Sequence, residues 1–224
     1  IKTESGNIDL LTAFSGISAL VFFLINAGGK LNFPIGLLPY ALSFAAAFGT
    51  ALLTSNLAIN TGPLSVTTLI TSYSLLIPTF YGIVFLKDSI HITLYVGIAA
   101  LLVSMYLINV KKDESAVFSP MWIVYIILAF ISNGMCSTIQ KMQQIHFDGA
   151  YKNEFMIIAL AVVSIVLSAV GIAKGSNNKQ TIMPCLKYGI PKGIFNGLVN
   201  YFVMVASAAL PNSVLFPSIS AGGI

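Results

Sequence analysis

Leu31 to Leu86 reads LNFPIGLLPYALSFAAAFGTALLTSNLAINTGPLSVTTLITSYSLLIPTFYGIVFL, 56 residues without one charged side chain. A helix crossing the hydrocarbon core of a bilayer needs about 20 apolar residues. The stretch is far too long for one crossing and fits two joined by a turn. Asn60-Thr61-Gly62-Pro63 supplies that turn, since Gly suits a helix C-terminus and Pro the first turn of the next helix. Span two is therefore about Pro39 to Ile59 and span three about Leu64 to Leu86.

Charge and turn residues divide the rest of the chain in the same way. Span one is about Ile8 to Ala27, ended by Gly28-Gly29-Lys30. Lys87-Asp88 is a loop, and span four is about Ile90 to Val110. Lys111-Lys112-Asp113-Glu114 is the most charged segment and splits the sequence. Span five is about Met121 to Ile139, followed by a polar connection from Lys141 to Glu154. Span six is about Phe155 to Ala173, and Lys174 to Lys187 reads as a loop. Span seven is about Gly189 to Leu210, with Pro211-Asn212 as a turn. Val214 to Ile224 opens an eighth span, too short to cross. These runs are continuously apolar, as membrane helices require and an alternating β-barrel would not be. The expected fold is an all-α polytopic membrane protein, with seven complete helices and a truncated eighth. A start at Ile1 and an end inside a span read as a piece of a longer chain.

Composition agrees. Of 224 residues, 57 % are apolar and 8 % charged, with 11 Lys and Arg against 7 Asp and Glu. Mean hydropathy is +0.91. Average soluble domains carry roughly 25 % charge, so an ordinary soluble enzyme and a nucleic-acid-binding domain are excluded. The lysines form no basic run. Cys136 and Cys185 form no metal or CxxC pattern, and Cys136 in its apolar run reads as a buried free thiol. No metal or cofactor site is expected. The partners expected are the lipid bilayer and a small-molecule substrate.

An internal repeat emerges when the chain is slid by 148 residues. Leu38, Tyr40, Gly49, Ala58, Pro63, Ser65, Val66 and Ser72 meet identical residues at 186, 188, 197, 206, 211, 213, 214 and 220. Spans two and three thus match spans seven and eight. Matching spans lie five apart, so the copies run in opposite directions, which is the inverted repeat of many secondary transporters. The repeat aligns Gly189, Gly193 and Gly197 with Ala41, Ala45 and Gly49. Small residues at spacing four let helices approach closely in lipid, so close packing of spans two and seven, against each other across the pseudo-twofold axis, is expected.

Several segments then resemble a known family. They are Asn60-Thr61-Gly62-Pro63-Leu64-Ser65, Ile77-Pro78-Thr79, Phe85-Leu86-Lys87-Asp88, Val96-Gly97-Ile98 and Met105-Tyr106-Leu107-Ile108-Asn109. Together they look like the second half of an EamA-type repeat of the drug/metabolite transporter superfamily. The resemblance implies ten helices in two inverted five-helix halves. On that template residues 1–112 hold helices two to five, and residues 113–224 hold helices six to eight and the start of nine. Asp88 after Lys87, where the family has Glu after Gly, and Ser104-Met105 near the end of the fifth helix depart from its pattern. The resemblance also implies a central cavity lined by the first, third, fourth, sixth, eighth and ninth helices, of which spans two, three, five and seven supply the third, fourth, sixth and eighth.

No Asp, Glu, Lys or Arg falls in the middle of a complete span, and an intramembrane charge is the usual mark of function. Attention moves to neutral polar residues at helical spacing. Asn133, Ser137 and Gln140 line up in span five, Thr67, Thr71 and Ser74 in span three, and Asn196 and Asn200 with Tyr201 in span seven. These are the substrate-cavity candidates, although the same groups also serve as bonds between helices. Tyr73, Tyr201 and Trp122 suit contact with a cation, although Trp122, next to the charged divide, reads rather as an interface anchor. Seven lysines fall on one side and four on the other. The positive-inside rule places the first side in the cytoplasm, whereas the resemblance places it outside. No GxxxxGK[ST] loop for ATP is present. The expected function is a secondary transporter of EamA type in the cell membrane, moving a small metabolite or organic cation by alternating access, and not an enzyme. A passive channel or a membrane scaffold is the alternative.

Overall fold

The computed structural model describes residues 5–88, 119–174 and 179–222, together with 96, 97, 99 and 103. Most of these residues are helical, with no strand among them. The helices are α1 (Ser5–Asn26), α2 (Leu38–Thr61, preceded by a 3-10 turn at Ile35–Leu37), α3 (Leu64–Ser72), α4 (Leu76–Phe85), α5 (Pro120–His146), α6 (Lys152–Ala173), α7 (Lys179–Ala209) and α8 (Asn212–Gly222). A 3-10 turn at Tyr73–Leu75 joins α3 to α4.

Five stretches are long and apolar enough to cross a membrane: Ile8–Asn26, Ile35–Thr61, Leu64–Phe85, Pro120–His146 and Lys152–Ala173. They correspond to the first, second, third, fifth and sixth predicted spans and fit a membrane protein. Large apolar side chains such as Ile25, Ile35, Phe85, Ile165 and Phe195 stand exposed on them and on α7, a surface that suits lipid rather than water. The fourth predicted span and the Lys111–Glu114 divide lie essentially outside the described residues. The seventh is helical, but α7 carries Lys187, Lys192, Pro184 and Pro191 and is not among the five apolar stretches.

Two segments read as loops are corrected. Residues 179–187 belong to α7. The Lys141–Glu154 connection shrinks to residues 147–151, because α5 continues to His146 and α6 starts at Lys152. The burial of Lys141 and Gln143 explains this: Lys141 donates to Leu210 O and Gln143 to Ala150 O inside the protein, so polarity here does not mean solvent. The short turn is tight, with positive φ at Asp148, Gly149 and Tyr151. The Gly149 N–H returns to Gln144 O at 2.8 Å, the closing bond of a Schellman-type helix end.

The chain divides into two compact units, one of residues 1–49 and 142–208, the other of residues 50–141 and 209–224. Each draws on both sides of the Lys111–Glu114 divide. In the first unit α1 runs against α6, where Gly16 meets Ser164 and Gly171 meets the Leu10 backbone. Phe23, Phe44, Phe155, Met156 and Leu160 form the fully buried interior, with the Phe44 and Phe155 rings 5.2 Å apart. The ends of this pair are tied by Lys174 Nζ to Asp9 Oδ2 at 2.6 Å and Asn26 Nδ2 to Asn153 Oδ1 at 2.9 Å.

The glycine stripe of α7 lies against α1, whereas the repeat leads one to expect α2. A Cβ on Gly189 would stand 2.9 Å from Phe14 Cβ, and one on Gly197 3.0 Å from the Phe22 ring. At Gly193 it would collide with the Ser15 carbonyl. Of the α2 stripe, Ala41 and Ala45 are buried, while Gly49 faces open space.

In the second unit α3 and α4 pack on α5, and α4 packs on α8. Ala58, Trp122 and Ile126 form one apolar cluster, and Leu69 and Tyr73 another. The helix break of Gly62-Pro63 and that of Leu210-Pro211 fall in register. α2 ends at Thr61 and α7 at Ala209; α3 begins at Leu64 and α8 at Asn212. Each boundary lies 148 residues after its counterpart.

Candidate functional site

The sequence candidates separate between the two units. In the second unit Thr67, Thr71, Ser74 and Asn133 come together along the α3–α5 contact. Asn133 Nδ2 donates to Ser74 Oγ at 2.7 Å and to Thr71 O at 3.3 Å. The hydroxyls of Thr67, Thr71 and Ser74 donate to carbonyls of their own helix. Thr67 Oγ1 in turn accepts from Trp122 Nε1 at 2.9 Å. Trp122 is thus buried against Gly62, and its indole N–H has its acceptor inside the protein. Gly134 completes the seam, since a Cβ there would meet Ile77 and stand 2.7 Å from Ser74 O. Pro78 has no N–H to engage that carbonyl in the usual helical bond, so the backbones can close on each other there.

Ser137 is half-buried and Gln140 buried farther along α5. Asn196, Asn200 and Tyr201 belong to the first unit. Asn200 Nδ2 donates to Asn196 O at 2.9 Å and to Asn196 Oδ1 at 3.1 Å, and the Tyr201 ring meets Phe22 edge-on. The first unit also holds a cavity of about 450 Å³ between α1 and α7. Phe14, Ile17, Val21, Leu186, Ile190 and Ile194 line it, with Ser18 as its polar contribution.

A different polar cluster forms at the break between α7 and α8, and sequence reasoning missed it. Lys141, 7 % exposed, reaches from α5 and donates to Leu210 O at 2.9 Å. That carbonyl lies at the C-terminal end of α7, where a cation complements unpaired carbonyls and the helix dipole. On the other side of the break, the Ser213 N–H donates to Asp88 Oδ2 at 3.2 Å. The carboxylate therefore stands at the N-terminal, positive end of α8. Asp88 also attracts the Lys141 ammonium through space.

Local chain geometry sets Asp88 in place. After α4 the backbone turns through Lys87 at φ 54°, and the Asp88 N–H returns to Gly82 O at 3.1 Å. Gly82 leaves room for the cluster: a Cβ there would stand 2.6 Å from Asp88 Oδ2 and 2.5 Å from Asn212 Cβ. Asn212 is fully buried and donates through Nδ2 to Pro78 O at 3.2 Å. Its Oδ1 and the Ser213 Oγ have no hydrogen-bond partner among the described residues.

The signal for this cluster lay in the spacing of α5. Asn133, Ser137 and Lys141 follow i, i+4, i+8, so the polar stripe ends in an ammonium on the same face. Among the described residues no three His, Cys, Asp or Glu side chains gather as metal ligands. No protein-family model matches the chain, and no curated protein matches it in sequence.

Proposed function

We propose that the chain is a secondary transporter of EamA type in the cell membrane, built on an inverted repeat and moving a small metabolite or organic cation by alternating access. The observation that carries this reading is the interrupted helix at Leu210-Pro211, with Lys141 on its C-terminal half-end and Asp88 on its N-terminal half-end. Secondary transporters use such half-helix ends to hold substrate and coupling ion. A buried ammonium is costly to maintain in a membrane helix and marks a functional position. The register of the two helix breaks supports the repeat. Ser137, Gln140 and Lys141 on α5 are assigned to the substrate path of one unit, and Asn196, Asn200 and Tyr201 to that of the other.

The test is flux in liposomes holding the purified chain, with a labelled panel of amines and small metabolites. A transporter gives saturable uptake stimulated by substrate on the far side. Lys141→Met should lower that uptake at least about tenfold at equal protein level, the loss of roughly 1.4 kcal/mol or more. Linear flux without counterflow would assign a channel, and no flux across the panel a scaffold.

A further inference from the structure

Two rows of aliphatic side chains line the cavity between α1 and α7. Ile17, Val21 and Ile25 stand at spacing four on α1, and Leu186, Ile190 and Ile194 at spacing four on α7. All six are exposed. The rows run beside the glycine stripe, where Gly193 brings α7 onto the Ser15 backbone. The bare backbones close there, and the longer side chains alongside leave a groove of about 450 Å³. Ser18 is its polar contribution, and that hydroxyl already donates to Phe14 O at 2.9 Å, so the lining suits pure hydrocarbon. From Phe14 to Ile25 the groove follows α1 for about 16 Å, at roughly 1.5 Å per residue. That length matches one leaflet, half of a hydrocarbon core about 30 Å thick.

One end of the groove is basic. Gly189 lies against Phe14 and Gly197 against the Phe22 ring, so α1 and α7 run the same way and Leu186 stands at the Phe14 end. Lys187 follows Leu186 and shares the helix face of Ile190 and Ile194, at i+3 and i+7. It is exposed and has no carboxylate partner among the described residues. Its ammonium stands 5.9 Å from the centre of the Tyr188 ring. Tyr188 is exposed too, and an exposed Tyr beside a Lys suits the headgroup level of a bilayer. The Asp9–Lys174 pair marks the same end of α1.

We infer that the groove between α1 and α7 binds one acyl chain of an anionic phospholipid, with the phosphate on the Lys187 ammonium and the tail running from Phe14 toward Ile25. The groove supplies depth and an apolar wall, and the lysine supplies the choice of headgroup. One lysine at the membrane surface is worth about fivefold in preference for an anionic lipid. Lys192 is exposed on the same helix but lies about 160–200° round the axis from Ile190 and Ile194, so it takes no part. The inference rests on the membrane reading and not on transport. Its test reads lipid binding without flux, so either can fail alone.

The experiment is native mass spectrometry of the purified chain from detergent holding equal phosphatidylglycerol and phosphatidylcholine with the same acyl chains. The native chain should retain one lipid, with phosphatidylglycerol preferred about fivefold or more. Lys187→Gln should abolish the preference, while Lys187→Arg and Lys192→Gln should keep it. Val21→Trp and Ile190→Trp fill the groove from its two walls, both at exposed positions, and should lose the lipid while circular dichroism shows the helices intact. If neither folds, Lys187→Gln decides alone. Equal retention of the two lipids by the native chain overturns the inference, as does a preference that survives Lys187→Gln. Full retention of lipid in a folded tryptophan variant also overturns it. Displacement by glycerol 3-phosphate would assign a free phosphate site, displacement by oleate a fatty-acid site, and a lipid-free dimer a second copy of the chain. Each of these three overturns the phospholipid assignment.

Discussion

The side-chain amide of Asn133 donates to the Ser74 hydroxyl at 2.7 Å, joining α5 to the 3-10 turn between α3 and α4. The bond sits where Pro78 leaves Ser74 O without its helical donor and Gly134 lets the backbones approach. The amide that reads as a cavity group in the sequence is here a bond between helices.

Asn133→Leu should therefore lower stability. Side-chain bonds between membrane helices contribute on the order of 0.6 kcal/mol, up to about 1.7, and this one also engages Thr71 O. We expect a loss of about 1 kcal/mol in unfolding by denaturant in detergent. Asn133→Leu with Ser74→Ala should cost less than the sum of the two singles. Strict additivity would mean that the two side chains are uncoupled.

The glycines of α7 and α2 should respond with opposite signs. Gly193→Ala drives a methyl into the Ser15 carbonyl, a backbone group unable to move aside, and should cost about 1–3 kcal/mol. Gly49→Ala meets open space and gains helix propensity, so its stability should hold or rise by about 0.5 kcal/mol. Thermal unfolding of the two variants in parallel checks this, and a stable Gly193→Ala would remove α1 as the close neighbour.

Lys174→Met should be more damaging than loss of an ordinary surface ion pair. Asp9 keeps only 4 % of its side chain exposed, against 40 % for Lys174, so the substitution strands a buried carboxylate. A cost of about 1–3 kcal/mol is expected. Adding Asp9→Asn should recover part of it in a double-mutant cycle. A double variant as unstable as Lys174→Met alone would contradict the pairing.

Both cysteines should resist labelling while the chain is folded. Cys136 and Cys185 are both buried. A maleimide added to the native protein in detergent should leave both unmodified, and unfolding should release them. Rapid labelling of either thiol before unfolding would contradict its burial.

Which residues form helices and where those helices break was legible along the chain. Runs of about 20 apolar residues have few alternatives to helix in lipid, and Gly62-Pro63 and Leu210-Pro211 interrupt the backbone wherever they occur. Partnership was not legible. The Gly189, Gly193 and Gly197 stripe announces a close neighbour but carries no information on which helix it is. The structure assigns it to α1 because Ser15, Ser18 and the Phe22 ring fit against those bare backbones. Lys141 and Asp88 read as loop charges because local sequence gives polarity and not depth. Only the folded chain places the ammonium on Leu210 O and the carboxylate on the Ser213 N–H. Apolar periodicity acts locally, through each helix's own backbone bonds, and so can be read residue by residue. Burial of a charge depends on partners 69 and 125 positions away, which only tertiary packing brings together.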